Sequence, residues 1–121
     1  MTQRFPRRVR VTARAEYDAV KTGGRRISTR HLTLQARPNT LDVDRLGIIA
    51  TRRLGGAVVR NRAKRRLREI FRLGGPTDSA SRPRGLDLVV IPRPELIGAA
   101  FPVIRTEFTD ALRRLRKILA Q

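Results

Sequence analysis

The thirteen residues from Arg60 to Arg72, R-N-R-A-K-R-R-L-R-E-I-F-R, carry seven cations and one carboxylate. Val59, Ala63, Leu67, Ile70 and Phe71 recur at spacings of four, four, three and one, a single stripe of a 3.6-residue period. One side of this helix is therefore committed to a core. Arg60, Arg62, Lys64, Arg65, Arg66 and Arg68 fall on the remaining arc, where like charges three and four apart repel by about a few tenths of a kcal/mol per pair. Solvated helix faces normally interleave both signs, and here Glu69 is the only acid. The chain must bury one face of the helix and leave the other open to something that offsets the repulsion, which is a polyanion.

The remaining elements read around that helix. Residues 1–12 form a basic extended arm with Pro6 and alternating Val9 and Val11, leading to a short helix from Ala13 to Lys21. Thr12 is its expected N-cap, and Gly23-Gly24 stops it. Arg30 to Ala36 alternates Leu32 and Leu34 against Thr33 and Gln35, the pattern of a half-buried strand. Pro38-Asn39-Thr40 turns the chain into a second strand, Arg45 to Thr51, and Arg52-Arg53-Leu54-Gly55-Gly56 delivers it into the basic helix. Residues 74–85 are a loop by composition and the expected mobile internal segment. Leu86 to Ile91, L-D-L-V-V-I, is nearly continuously apolar and reads as a central strand ended by Pro92 and Pro94. A last helix begins near Phe101 with Pro102 in its first turn, and its stripe is Ile104, Phe108, Ala111, Leu112, Leu115, Ile118 and Leu119. The order helix, strand, strand, helix, strand, helix gives a small α/β sandwich with helices against one sheet. A chain of 121 residues supports one such domain.

The formal charge of +18 is almost entirely an arginine excess. Arginine pairs with phosphate through two points and stacks on bases, so the excess favours nucleic acid. Arg4, Arg7, Arg8 and Arg10, then Arg52 and Arg53, then Arg113, Arg114, Arg116 and Lys117 extend it beyond the helix. Cysteine is absent, which removes disulfides and thiolate metal sites and fits a reducing cytosol. No apolar run approaches the roughly 20 residues of a membrane span, and the N-terminus lacks the apolar core of a signal peptide.

Catalytic chemistry has no foothold. His31, the single histidine, is expected as a satisfied or exposed strand residue without a nearby cysteine or carboxylate pair, and Asp42 and Asp44 are expected as solvated turn carboxylates beside Arg45. No two-metal carboxylate site, phosphate-cradling glycine loop or nucleophile with its base is present. Recognition remains. Asn61, between two arginines, could read a base edge or a 2′-hydroxyl, or equally bond within its own helix. Gly55-Gly56 could let the backbone approach a phosphate, or simply turn the chain. Tyr17 could stack on a single-stranded base, although the spacing favours a core aromatic of the first helix.

From Leu54 to Arg72 the string L-G-G-A-V-V-R-N-R-A-K-R-R-L-R-E-I-F-R closely resembles the signature of the bacterial ribonuclease P protein subunit, including the R-N-R centre at Arg60, Asn61 and Arg62. The resemblance extends over most of the chain through the E-Y-D-A-V helix, the strand at Arg30 to Gln35, the L-G-I-I-A and L-D-L-V-V-I-P-R strands and the terminal helix. It implies a protein that binds a large catalytic RNA and helps it remove the 5′ leader of precursor tRNA, while the RNA performs hydrolysis with Mg²⁺. No catalytic side chain, protein metal site, membrane or obligatory protein partner is implied, and the setting is the cytoplasm. The resemblance places Arg60, Asn61, Arg62, Lys64, Arg65, Arg66 and Arg68 against the catalytic RNA. It suggests Tyr17, Thr33, Gln35, Arg52 and Arg53 for a leader cleft between the first helix and the sheet. The fold it implies is a two-layer α/β sandwich like domain 2 of ribosomal protein S5, with a left-handed β-α-β crossover, against the right-handed norm. Departures fall at Val20-Lys21, where the family commonly has an aromatic, at Gly56, where it has asparagine, and at Arg52 and Arg53, where lysines are usual. Thr33 and Gln35 likewise stand where aromatic and β-branched residues are often found. The alternative from another class is a structural ribosomal protein that uses the same face for rRNA. A protein-only nuclease would require the acid-base cluster that is missing.

Overall fold

The computed structural model describes residues 10–41, 43–74 and 85–120. Most of the basic arm expected over 1–12, and the loop expected over 74–85 except at its ends, lie outside them. The first helix, α1, spans Arg14–Gly23. Its N-cap is Ala13 rather than Thr12. The carboxylate of Glu16 reaches back and accepts the backbone N–H groups of Thr12 at 3.0 Å and Ala13 at 3.1 Å. An acid in the third helical position thus does what a hydroxyl at the cap was expected to do.

A strand follows that the sequence pattern does not announce, β1 at Arg25–Ser28, in which only Ile27 is buried. It pairs antiparallel with β2, Leu32–Pro38, from Arg25 opposite Ala36 to Ser28 opposite Thr33. The β2 strand starts two residues later than expected because Thr29 closes the hairpin. Its backbone N–H donates to the Leu32 carbonyl at 2.8 Å, and its hydroxyl accepts the Leu32 N–H at 3.3 Å. Strand β3 is Arg45–Ile48, shorter than the expected Arg45 to Thr51. After Ile49 donates to the Val90 carbonyl, the chain leaves the sheet in a single 3-10 turn at Arg52–Leu54. Gly55 then takes φ 141°, a left-handed value that only glycine adopts without strain. The basic helix α2 spans Ala57–Gly74, β4 spans Leu86–Pro92, and α3 spans Phe101–Leu119 with Pro102 in its first turn.

The strand order is β1-β2-β4-β3, with β3 parallel to β4. The link from β3 through α2 to β4 is therefore a β-α-β crossover, and β4 is the central strand expected from its apolar run. On one face Ile27, Leu32, Leu34, Ala36, Leu46, Leu88 and Val90 meet Ala63, Leu67 and Ile70 of α2 and Ile104, Phe108, Ala111 and Leu115 of α3. Leu67, Leu88 and Leu115 are wholly buried, and truncating any of them to alanine would cost about 2–5 kcal/mol. These two layers are the sandwich. Helix α1 packs across part of the opposite face, against β2 and β4, where Val11, Val20 and Val89 are buried.

Ion pairs fasten the layers. Arg45 holds Asp87 by two contacts of 2.7 Å and Glu16 at 2.9 Å, which links the start of α1 to the two parallel strands. Asp44 is only 2% exposed, not the solvated turn residue expected from its neighbours; Asp42 lies outside the described residues. One Asp44 oxygen accepts the Leu86 N–H at 2.9 Å and the other accepts Arg116 at 2.7 Å. His31 sits in the turn before β2 and pairs with Glu107 of α3 at 2.7 Å. The expected strand position is corrected to the turn before it, whereas the histidine is satisfied, its hydrogen-bond partner coming from a distant element.

Two outcomes follow. Asp44→Ala leaves a strand N–H and a guanidinium uncompensated and should cost about 2–4 kcal/mol in denaturant unfolding. The Thr12 and Ala13 backbone N–H groups, and then Arg45, hold the Glu16 carboxyl below the usual carboxylate range. A depressed folded-state pKa contributes stability that is present above the unfolded value and is lost as pH falls through the folded one. Glu16→Gln should therefore flatten the acid limb of the stability profile relative to the parent chain, and an unaltered acid limb would contradict the assignment.

Candidate nucleic-acid interface

With Ala63, Leu67 and Ile70 turned inward, the 3.6-residue period aims the opposite arc of α2 away from the protein. Asn61, Arg62, Arg65 and Arg68 are exposed there, and Arg60 and Lys64 are half-buried on a flank. Among the described residues no acid pairs with Arg60, Arg62, Lys64, Arg65 or Arg68. The Asn61 amide makes no side-chain hydrogen bond there either, so it does not cap its own helix. Glu69, the only acid of the helix, is occupied by Arg72 one turn on.

Two of the nominated cations differ from the rest. Arg66 is half-buried and donates to the Ala99 carbonyl at 2.9 Å. It is a strut from α2 to the segment before α3 more than an open contact, a role that helical periodicity could not reveal. Arg60 is half-buried, and its Nε is buried without a hydrogen-bond partner.

The second set of nominated residues divides by position. Tyr17 projects from α1 onto β3 and is half-buried, its ring against Gly47. Gly47 makes this seat. A Cβ at that position would stand 2.7 Å from ring atoms of Tyr17, so only glycine lets the ring lie down. Burial pushes the Tyr17 phenol above its usual range, opposed by the Ile48 backbone and by the positive charge of Arg68. The positive charge of Arg68 on the basic helix thus reaches the aromatic of the other set.

Thr33 and Gln35 share the α1 side of the sheet with Gly47, by strand register. Thr33 is partly exposed, whereas Gln35 is 6% exposed and forms the floor, with little surface to offer. Arg52 and Arg53 are exposed on the turn entering α2, anchored by buried Leu54. That position serves the approach to α2 as much as the sheet face. The same face carries residues that the sequence pattern did not single out. Arg26 lies opposite Gln35, and Ser28 opposite Thr33 and then Ile91, while Ile49 beyond β3 is 38% exposed. They form a shallow strip of hydroxyls and apolar groups edged by a cation. The signal was R-R-I-S between a glycine pair and a turn, and it was missed with β1.

No cluster of metal-ligating acids or histidines occurs among the described residues, and no described helix is long and apolar enough to cross a membrane. Among the described residues, a dense set of unpaired guanidinium donors, an unpartnered amide and a half-exposed sheet face beside an aromatic define a nucleic-acid-binding α/β protein. Comparison with known proteins gives the family. The ribonuclease P family profile matches residues 5–116. The ribonuclease P protein component of Thermotoga maritima is 34% identical over 119 residues, covering 95% of this chain and 98% of that one. That of Roseiflexus castenholzii is 39% identical over 109 residues, covering 89% and 86%. The solved ribonuclease P protein of Thermotoga maritima superposes with a TM-score of 0.73 at 32% identity, covering 87% of this chain and 96% of that one. The Staphylococcus aureus protein superposes with a TM-score of 0.70 at 27% identity, covering 91% and 94%. The chain belongs to the bacterial ribonuclease P protein family. As such it is a subunit of the ribonucleoprotein endoribonuclease that processes tRNA.

Tyr17 is the only tyrosine, so its ionisation can be followed alone by ultraviolet absorbance. It should titrate above the usual phenol range in the folded chain and return to that range on unfolding. Gly47→Ala should displace the ring, lower the titration midpoint and cost about 1–3 kcal/mol. A midpoint unaffected by this substitution would contradict the seat.

Proposed function

We propose that the two surfaces divide the work of the ribonucleoprotein. Helix α2 anchors the catalytic RNA through Arg60, Asn61, Arg62, Lys64, Arg65 and Arg68, with Arg66 bracing the helix. The α1 side of the sheet takes the single-stranded 5′ leader of precursor tRNA, with Tyr17 and Thr33 presented over Gln35 and with Arg52 and Arg53 at the approach. The RNA supplies hydrolysis with Mg²⁺ held on the RNA, and the complex acts in the cytoplasm with no obligatory protein partner. The observation that carries this reading is the arc of α2, whose cations have no acid partners among the described residues. Phosphate is the ligand that removes their mutual repulsion, and counterion release drives that binding. Stacking on an aromatic and hydroxyl contacts suit a single strand whose sequence varies.

The test is cleavage of precursor tRNA by ribonuclease P RNA at low Mg²⁺, with and without this protein. Leader removal should rise when the protein is added; no rise, with RNA binding intact, would favour an rRNA-binding role instead. Arg62→Ala and Arg65→Ala should each lower the log-log salt slope of RNA binding by roughly 0.7 to 0.9. An undiminished slope would show that those arginines do not reach phosphate.

A further inference from the structure

We infer that Val58 is an apolar contact to the RNA that α2 binds, and that it adds a salt-independent component to that interface. The inference rests on the reading that α2 faces the catalytic RNA. Val58 is the second residue of α2 and is 82% exposed, more than any other large hydrophobic side chain among the described residues. A single exposed valine is ordinary. Its position is not. Asn61 and Arg62 follow it at three and four residues and Arg65 at seven, so it heads the outward stripe opposite Ala63, Leu67 and Ile70. A Cβ at Gly56 would meet nothing within 4 Å, and Ala57 is exposed, so no part of the described protein overhangs this turn.

A branched side chain in a helix gives up rotamer freedom, and here no packing within the protein offsets it. A cation at the same position would have extended the positive stripe. Between the phosphates of an RNA strand lie ribose C–H groups and base faces, which are apolar. A short, stiff isopropyl group flanked by phosphate-binding arginines is suited to cover such a surface and to exclude water from it. The cations favour RNA as its occupant, since an apolar protein surface would have to desolvate Arg62 and Arg65 without pairing them.

The experiment compares V58A, V58T and R62A with the parent chain in binding to ribonuclease P RNA across a range of salt concentrations. Because the side chain is exposed, the Val58 variants should unfold no more easily than the parent, with V58A gaining slightly from the higher helix propensity of alanine. V58A should weaken binding about tenfold, as expected for losing two buried methyl groups, with an unaltered salt slope. V58T, which keeps the branched shape and exchanges one methyl for a hydroxyl, should also weaken it. R62A should lower the slope. Parent-like affinity in both Val58 variants would overturn the inference, as would a lowered slope in V58A, which would mean the residue acts by placing cations. If R62A too leaves affinity and slope unchanged, the failure lies with the assignment of α2 to RNA and takes this inference with it.

Discussion

Burial of Ala63, Leu67 and Ile70 against the sheet fixes the rotation of α2, and the rest of the interface depends on that rotation. Each residue of a helix is turned about 100° from the last, so a core that accepts these three side chains leaves Asn61, Arg62 and Arg65 no direction but outward. The parallel pairing of β3 with β4 fixes where the helix begins and ends, since α2 must leave one strand and return beside it. Gly55 makes the sharp entry possible, and Leu54 pins the turn to the core. Electrostatic repulsion along the arc is thus held in place by apolar packing, which salt does not screen, and the charges stay arrayed in the absence of a ligand.

The scarcity of acids completes the arrangement. The chain has 28 basic residues against ten acids, and several of those acids are consumed where elements meet. Glu16 and Asp87 share Arg45, Asp44 holds Arg116, and Glu107 holds His31. Each pair ties two elements that apolar contact alone would leave free to slide, and each removes a carboxylate that could have neutralised α2. The one acid on α2 is paired with Arg72 at the far end of the helix. With these acids committed to fastening elements, the arginines on the outward arc of α2 present a positive face without any further device.

Those elements whose signals are local were legible in the sequence. The apolar run of β4 bounded by prolines and the long stripes of α2 and α3 could be read from period alone. What escaped was set by partners far along the chain. Strand β1 has one inward residue, Ile27, and exists because β2 offers it an edge. Asp44 and Arg116 are 72 residues apart, and His31 and Glu107 are 76 apart. The same limit applied to the site. The cations of α2 were named from the helix itself, whereas the strut role of Arg66, the seat that Gly47 gives Tyr17 and the place of Arg26 on the sheet face required tertiary contacts. The signature around Arg60, Asn61 and Arg62 supplied the family, and the structure supplied the distinction between exposed and committed cations.

The chemical economy of the chain explains why its RNA contact needs more than charge. Phosphate contacts give affinity that collapses as salt rises and is indifferent to sequence. A protein presenting only arginines would therefore distribute itself over all RNA in proportion to phosphate. Selection of one RNA requires groups whose benefit depends on shape or on a particular edge. On the proposed reading, the candidates on α2 are Asn61, whose amide can both donate and accept, and Val58, whose apolar surface rewards only close fit. On the sheet face the proposed candidates are the seated aromatic Tyr17 and the hydroxyls of Ser28 and Thr33 beside Ile91. The positive charge of Arg68 also reaches the Tyr17 phenol, where it works against the effect of burial, so on the proposed reading a strand over the aromatic meets positive charge from α2 as well. On the proposed division of surfaces, one fold holds one RNA segment against another through two rigid faces, and neither face needs to move to do so.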